Sequence, residues 1–323
     1  MIGAMLATTL VALGKVEVAG RGVKLPMSVR MVMVPVIGVM LGSSFTPEVA
    51  RQIPGWWITV VGLVVFIVVT IAIVYQINRR IFGFDRPTAY FSAIPGGVIE
   101  SAIIGEQAGG DPRTISLIHF CRIVLAVLSI PIAMRLIYGP VGSVAISPEK
   151  LDTALGTMDI GLLVGAGVVG LFVAKKLNVP GAPITGPMVM SALVHVTGWT
   201  AAHPPSLLVI IAQIVMGASL GSRFAGYAFR DAILALKAAF GGMVVMLSLA
   251  VALSAALLPF VSESYTSLIL AFAPGGLAEM SLIALSLNIG VAFVAAHHVA
   301  RIFIAMVGAP ILYRLIVDRD ARV

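Results

Sequence analysis

Charged side chains are scarce in this chain: Asp, Glu, Lys and Arg make up 11% of its 323 residues, where a soluble domain carries about a quarter. Hydrophobic residues reach 59% and the mean hydropathy is +1.08. An ordinary water-soluble domain is thereby excluded. Cysteine is almost absent. Cys121 stands alone, so there is no intrachain disulfide and no CxxC centre, and the thiol is expected to be a packed core group. The net charge of +7 is spread over short loops without a basic patch or interleaved aromatics, which speaks against a nucleic-acid surface. His119, His195, His203, His297 and His298 form no HExxH or other helical metal pair. No GxSxG and no phosphate-binding glycine loop occurs either. No cofactor, metal or enzymatic nucleophile is therefore expected. Met1 leads straight into an apolar stretch without a basic n-region, so no separate secretory signal is expected.

What the chain does have is long apolar runs, and a pattern stated twice. Residues 56–76 contain no charge over 21 positions, enough to cross about 30 Å of hydrocarbon. Residues 91–138 and 270–317 align without a gap at an offset of 179, with 14 of 48 positions identical. Unrelated segments of this composition would share about 4, so the chain contains an internal duplication. The shared positions include Pro95/Pro274, Gly96/Gly275, Gly97/Gly276, Glu100/Glu279, His119/His298 and Arg122/Arg301. Further upstream, GVMLGSSF (38–45) matches GASLGSRF (217–224) at the same offset.

The second copy reads as spans at about 159–174, 182–197, 205–220 and 229–259, then a Pro-Gly-Gly-broken stretch and a last span at about 290–317. The first copy mirrors it, but nothing in it corresponds to residues 157–183. Either its coding sequence begins upstream of Met1 or it lacks one helix. The former is favoured, because losing a packing partner would expose close-packing small residues to lipid. Basic residues follow the second and fourth spans of the first copy (Lys15, Arg21, Lys24 and Arg30; Arg79, Arg80 and Arg86). In the second copy they lie one span earlier (Lys175, Lys176, Arg223, Arg230), while Arg319 and Arg322 close the chain. A shift of one span implies that the copies face opposite sides of the membrane. The expected fold is an all-α polytopic membrane protein of two inverted repeats, 1–140 and 155–323, with about nine spans plus two broken elements, re-entrant or discontinuous.

Proline removes a backbone donor and two following glycines loosen the chain, so Pro95-Gly96-Gly97 and Pro274-Gly275-Gly276 predict helix breaks. In lipid the freed polar groups must be satisfied within the protein or by a polar cavity. One such break is an ordinary kink; two at matching positions point to a site. Glu100 and Glu279 fall in the first turns after the breaks. They can bind a cation, exchange a proton or hold an amine, or merely cap a helix N-terminus. His119 and Arg122, like His298 and Arg301, are three apart and share a helix face. Each arginine is expected to pair with an intramembrane glutamate, and the histidines suit a proton relay. His297 has no counterpart in the first copy. Glu106, Asp111 and Arg113 are also unmatched, and a polar loop before residue 115 is their expected place.

The segments AIPGGVIES…HFCRI and FAPGGLAEMS…HHVARI, with GxxLGSxF upstream, resemble the AbrB membrane-protein family, and the resemblance covers nearly the whole chain. That family is built from two copies of one membrane unit. Its members carry conflicting labels: a regulator of gene expression and an ammonia monooxygenase. The name is shared with an unrelated soluble DNA-binding regulator. The family in turn resembles the cation–proton antiporter and anion transporter superfamily. The resemblance implies an inner-membrane secondary transporter of a small solute, coupled to protons or a cation. A membrane-embedded regulator is the alternative, and the monooxygenase is disfavoured for want of metal ligands. Expected partners are the lipid bilayer, the solute and its coupling ion, with a homo-oligomer left open.

Overall fold

A computed structural model of the chain describes residues 2–14, 17–18, 21–22, 27–138, 155–224, 227 and 229–317. Lys15, Lys24, Arg319 and Arg322, used in the charge argument, lie outside them. The described chain is helical apart from a two-residue antiparallel pairing of β1 (Glu17–Val18) with β2 (Arg21–Gly22). Its α-helices are α1 (Ile2–Leu13), α2 (Met27–Gly42), α3 (Pro47–Gln52), α4 (Trp57–Arg80), α5 (Arg86–Ala93), α6 (Val98–Gln107) and α7 (Pro112–Tyr138). After residue 155 follow α8 (Thr157–Lys176), α9 (Ala182–Val196), α10 (Ser206–Gly221), α11 (Phe229–Leu257), α12 (Tyr265–Phe272), α13 (Leu277–Ser286) and α14 (Val291–Leu312).

The duplication extends to the bounds of the helices. Moved on by 179 residues, α2, α5 and α6 land on the limits of α10, α12 and α13. The local reasons repeat as well. Asp85 caps α5 by accepting from the Thr88 amide at 2.9 Å, and Ser264 caps α12 by accepting from the Ser267 amide at 3.1 Å. Such caps satisfy donors that a helix start leaves open. Both half-helices end where the Pro-Gly-Gly motif begins.

Five helical stretches are long and apolar enough to cross a membrane: Pro47–Arg80, Pro112–Met134, Thr157–Lys176, Arg230–Phe260 and Val291–Leu315. The expected count of about nine is not given by helix length. Ile2–Ala12, Ser28–Gly42, Ala182–Val196 and Ser206–Gly221 are apolar but shorter; at 1.5 Å per residue a 16-residue helix is about 24 Å long. Large apolar side chains stand exposed along α8 (Val164, Val168, Phe172) and α11 (Leu236, Phe240, Val244). Water would penalise such faces; hydrocarbon does not.

The chain divides into two compact units that cut across the sequence copies. One comprises Met1–Gly55, Ala133–Gly226 and Ser281–Ala295. Within it α9 packs on α2 and α8, and α1 on α10. The glycines of GxxLGSxF are contact points here. A Cβ on Gly38 would stand 2.5 Å from the Ile184 carbonyl oxygen, and one on Gly42 would overlap the Met188 carbonyl and Ser191 of α9. Gly221 of α10 meets Thr8 and Met5 of α1 in the same manner. This motif brings backbones together, as small residues do between membrane helices. The other unit comprises Trp56–Ile132, Tyr227–Met280 and Ala296–Val323. In it α4 packs on α5 and α11, and α11 on α12. All the candidate site residues belong to this second unit.

Candidate functional site

The two Pro-Gly-Gly motifs are helix breaks, and they are conformationally unequal. In the first, Gly96 has φ +130° and Gly97 has φ +61°, values in the region where a side chain is strained and glycine is not. Here the Gly96 amide donates to the Ile94 carbonyl at 3.0 Å; the Ser101 amide donates to that of Gly97 at 2.7 Å, as the Met280 amide does to that of Gly276 at 3.0 Å in the second break. In the second break Gly275 and Gly276 have no such φ, and another group satisfies the carbonyls. Pro95 and Pro274 sit in the two breaks as expected.

That group is Arg301. Its Nη1 donates to the Ala273 carbonyl at 2.7 Å, and its Nη2 donates to the Gly275 carbonyl and, at 2.7 Å, to His298 Nδ1. These are the acceptors that a broken helix leaves open inside a membrane, and a guanidinium with five fixed donors can take several at once. Arg301 is 1% exposed and its Nε has no hydrogen-bond partner. The same Nε lies 3.7 Å from the point a Cβ on Gly96 would occupy. One guanidinium thus bonds the second break and lies beside the first.

Arg122 holds the equivalent place on α7 but does not clamp. Its single hydrogen bond among the described residues runs from Nη2 to His119 Nδ1 at 2.8 Å. It is 4% exposed, and its Nε too is buried without a partner. The histidines behave alike in both copies. His119 Nε2 donates to the Phe91 carbonyl and His298 Nε2 to the Leu270 carbonyl, each at 3.0 Å. A carbonyl only accepts and a guanidinium only donates, so both imidazoles are in the neutral tautomer with hydrogen on Nε2. In this arrangement each histidine is a strut between a half-helix end and its arginine. A proton relay would have to break the Arg–His bond first.

The expected arginine–glutamate pairing is not what this unit shows for its arginines, whose bonds run to carbonyls and histidine. Backbone carbonyls at a break cannot be counted from side-chain types, so the sequence offered glutamate as the visible partner. Both carboxylates turn back on their own helix starts instead. Glu100 Oε2 lies 3.5 Å from where a Cβ on Gly97 would be, and Glu279 lies over Gly276, the residue before α13. This is the third position of each half-helix, where a carboxylate faces free amides and the positive dipole end. Glu279 is buried and Glu100 half-buried. Glu100, Gly96, Gly97, Phe91 and Met306 line a small cavity of about 10 Å³.

His297, which sequence symmetry passes over, is buried and meets Thr59 of α4, Nε2 to Oγ1, at 2.8 Å. The one signal for it is that a buried imidazole needs a polar partner; the choice of Thr59 is tertiary. Glu106, Asp111 and Arg113 are exposed around the turn before α7, as expected, and Asp111 caps that helix by accepting from the Arg113 and Thr114 amides. Cys121 is buried. Among the described residues no three His, Cys, Asp or Glu side chains gather in a way that could hold a metal ion.

Comparison with known proteins gives a family and two relatives. The family model described as "Transition state regulatory protein AbrB" matches residues 1–317. The "Uncharacterized protein YhjN" of Bacillus subtilis (strain 168) is 26% identical over 306 residues, covering 87% of this chain and 77% of that protein. The "Putative regulator AbrB" of Escherichia coli (strain K12) is 21% identical over 303 residues, covering 92% of this chain and 85% of that protein.

Proposed function

This chain belongs to the AbrB family, and we propose that it is a secondary transporter of a small solute, coupled to protons or a cation. On this reading it resides in the bacterial inner membrane as two inverted repeats, with about nine spans and two broken elements, re-entrant or discontinuous. The observation that carries it is the inequality of the two breaks. Matching residues hold one break through Arg301 and leave the other closed on its own turn. Buried charge next to unwound helix ends is costly to keep in a membrane and is characteristic of binding sites at the centre of transporters. Inverted repeats whose discontinuous helices meet near the membrane midplane are the architecture of many secondary transporters. Glu100 and Glu279 are the candidate proton or ion sites, each beside its break.

A second reading is a membrane-embedded regulator of gene expression, favoured by the name of the Escherichia coli relative. A monooxygenase is the least favoured reading, for want of metal-ligand motifs in the sequence; we read the protein as no enzyme. The test is solute-evoked current in proteoliposomes across small amines, amino acids and carboxylates at several pH values. Wild type is compared with Glu100→Gln and Glu279→Gln. Current that either substitution abolishes in folded, inserted protein is the expected result. Absence of current for every solute would sink the transport reading in favour of the regulator.

A further inference from the structure

Arg122 and Arg301 stand in the same framework and use it differently. His298 Nε2 donates to the Leu270 carbonyl and His119 Nε2 to the Phe91 carbonyl, each at 3.0 Å and each 28 residues back in the chain. Each histidine accepts at Nδ1 from its own arginine, at 2.7 Å from Arg301 and 2.8 Å from Arg122. α7 therefore meets the end of α5 in the register that α14 keeps against the end of α12. In that register Arg301 Nη1 takes the carbonyl 28 residues back, Ala273, and Nη2 the one 26 back, Gly275. The same spacings from Arg122 lead to Ile94 and Gly96. Yet the Ile94 carbonyl is taken by the Gly96 amide at 3.0 Å, and Arg122 keeps a buried Nε–H without a partner.

What separates the two breaks is backbone conformation. Gly96 at φ +130° and Gly97 at φ +61° lie on the positive side, and Gly275 and Gly276 do not. Glycine passes between these regions without a side-chain penalty, so one motif can hold either conformation. The turn in the first break satisfies the Ile94 carbonyl with a neutral amide. The clamp in the second satisfies two carbonyls with a charged group, whose hydrogen bonds are the stronger kind. A buried guanidinium with one bond to a neutral imidazole also leaves donors unmet, which is costly away from water. We infer that the first break is a two-state element, and that in its second state Arg122 clamps the Ile94 and Gly96 carbonyls as Arg301 clamps those of Ala273 and Gly275. The passage asks little of its surroundings. His119 keeps both its bonds, the Gly96–Ile94 turn opens, and φ at Gly96 and Gly97 moves to the side that Gly275 and Gly276 occupy. In the first state α7 holds the end of α5 through His119; in the second it also holds the break itself. Transport gives such a switch a use, because broken helices line the sites of secondary transporters, but nothing in its geometry depends on a solute.

The experiment is a double-mutant cycle on Tm in one detergent, with wild type, Gly96→Ala, Arg122→Gln and the double variant. Alanine is strained in the turn, where residue 96 has φ +130°, and is not strained in the clamped conformation. Gly96→Ala therefore shifts the population toward the clamp, and there Arg122 carries more of the stability. Arg122→Gln should lower Tm in the Gly96→Ala background by about 2 °C or more beyond its effect in wild type. Additive losses in folded variants, a smaller excess, or a coupling of opposite sign overturn the switch. If Gly96→Ala does not fold, Gly97→Ala, at φ +61°, takes its place in the same cycle with the same outcomes. The cycle reads stability and the proteoliposome assay reads flux, so the two proposals fail separately. Coupling without current would strike the transport reading alone, and current with additive losses would strike the switch alone.

Discussion

Arg301 Nη1 lies 2.7 Å from the carbonyl oxygen of Ala273, and this bond ties α14 to the end of α12 across the second helix break. Arg122, at the same position in the first copy, makes no such bond to Ile94. Arg301→Gln should therefore destabilise the protein, by about 2–4 kcal/mol, because it strips charged donors from buried carbonyls. Arg122→Gln should cost less than about 1 kcal/mol or even stabilise, since it removes a buried like charge and only one hydrogen bond. Thermal unfolding of both variants in one detergent checks the contrast; equal losses would contradict the asymmetry.

The glycines of the breaks should also respond unequally. Gly96 sits at φ +130°, so Gly96→Ala forces a side chain into a conformation it rarely adopts, at a cost of about 1–3 kcal/mol. Gly275 has no positive φ, and a Cβ there meets the flexible Met280 side chain at 2.6 Å. Gly275→Ala should be the milder substitution, read as a smaller drop in Tm.

Close packing in the first unit gives a cleaner pair. A Cβ on Gly42 would overlap backbone of α9, whereas nothing stands within 4 Å of one on Gly3. Gly42→Ala should cost about 2 kcal/mol or more, because backbone cannot step aside. Gly3→Ala should be neutral or gain up to about 1 kcal/mol from helix propensity. Unfolding midpoints measured side by side test this.

His203 predicts a pH response outside the membrane-spanning helices. Its Nδ1 lies 2.7 Å from Ser43 Oγ, and Ser43 gives its single proton to the Met40 carbonyl, so His203 is the donor. Burial, and then the neighbouring His195, hold its pKa below the usual 6.5. A lowered pKa means that the folded state resists taking up the proton. The stability it supports is complete above pH 6.5 and is lost as pH falls below that value toward the folded pKa. His203→Gln should flatten the fall in Tm between neutral and mildly acidic pH. An unchanged slope would show that other groups set it.

The sequence by itself determined where the helices break and how the pattern repeats. Proline without an amide and glycine without a Cβ act on their own few residues, whatever surrounds them. The caps at Asp85 and Ser264 are equally local, which is why α5 and α12 start in register. The i, i+3 spacing likewise fixed that His119 and Arg122, and His298 and Arg301, share a face. Where those arginines point was decided by tertiary structure alone. The acceptors that hold Arg301 are main-chain carbonyls at residues 273 and 275, which every sequence contains and only a particular fold leaves open. The glutamates, conspicuous in an apolar run, lie over the glycine that precedes their own half-helix. Identical Pro-Gly-Gly motifs also took different φ values, because a break can be closed by its own turn or by a donor from another helix. The choice between these depends on what packs beside it, and nothing within the motif records that.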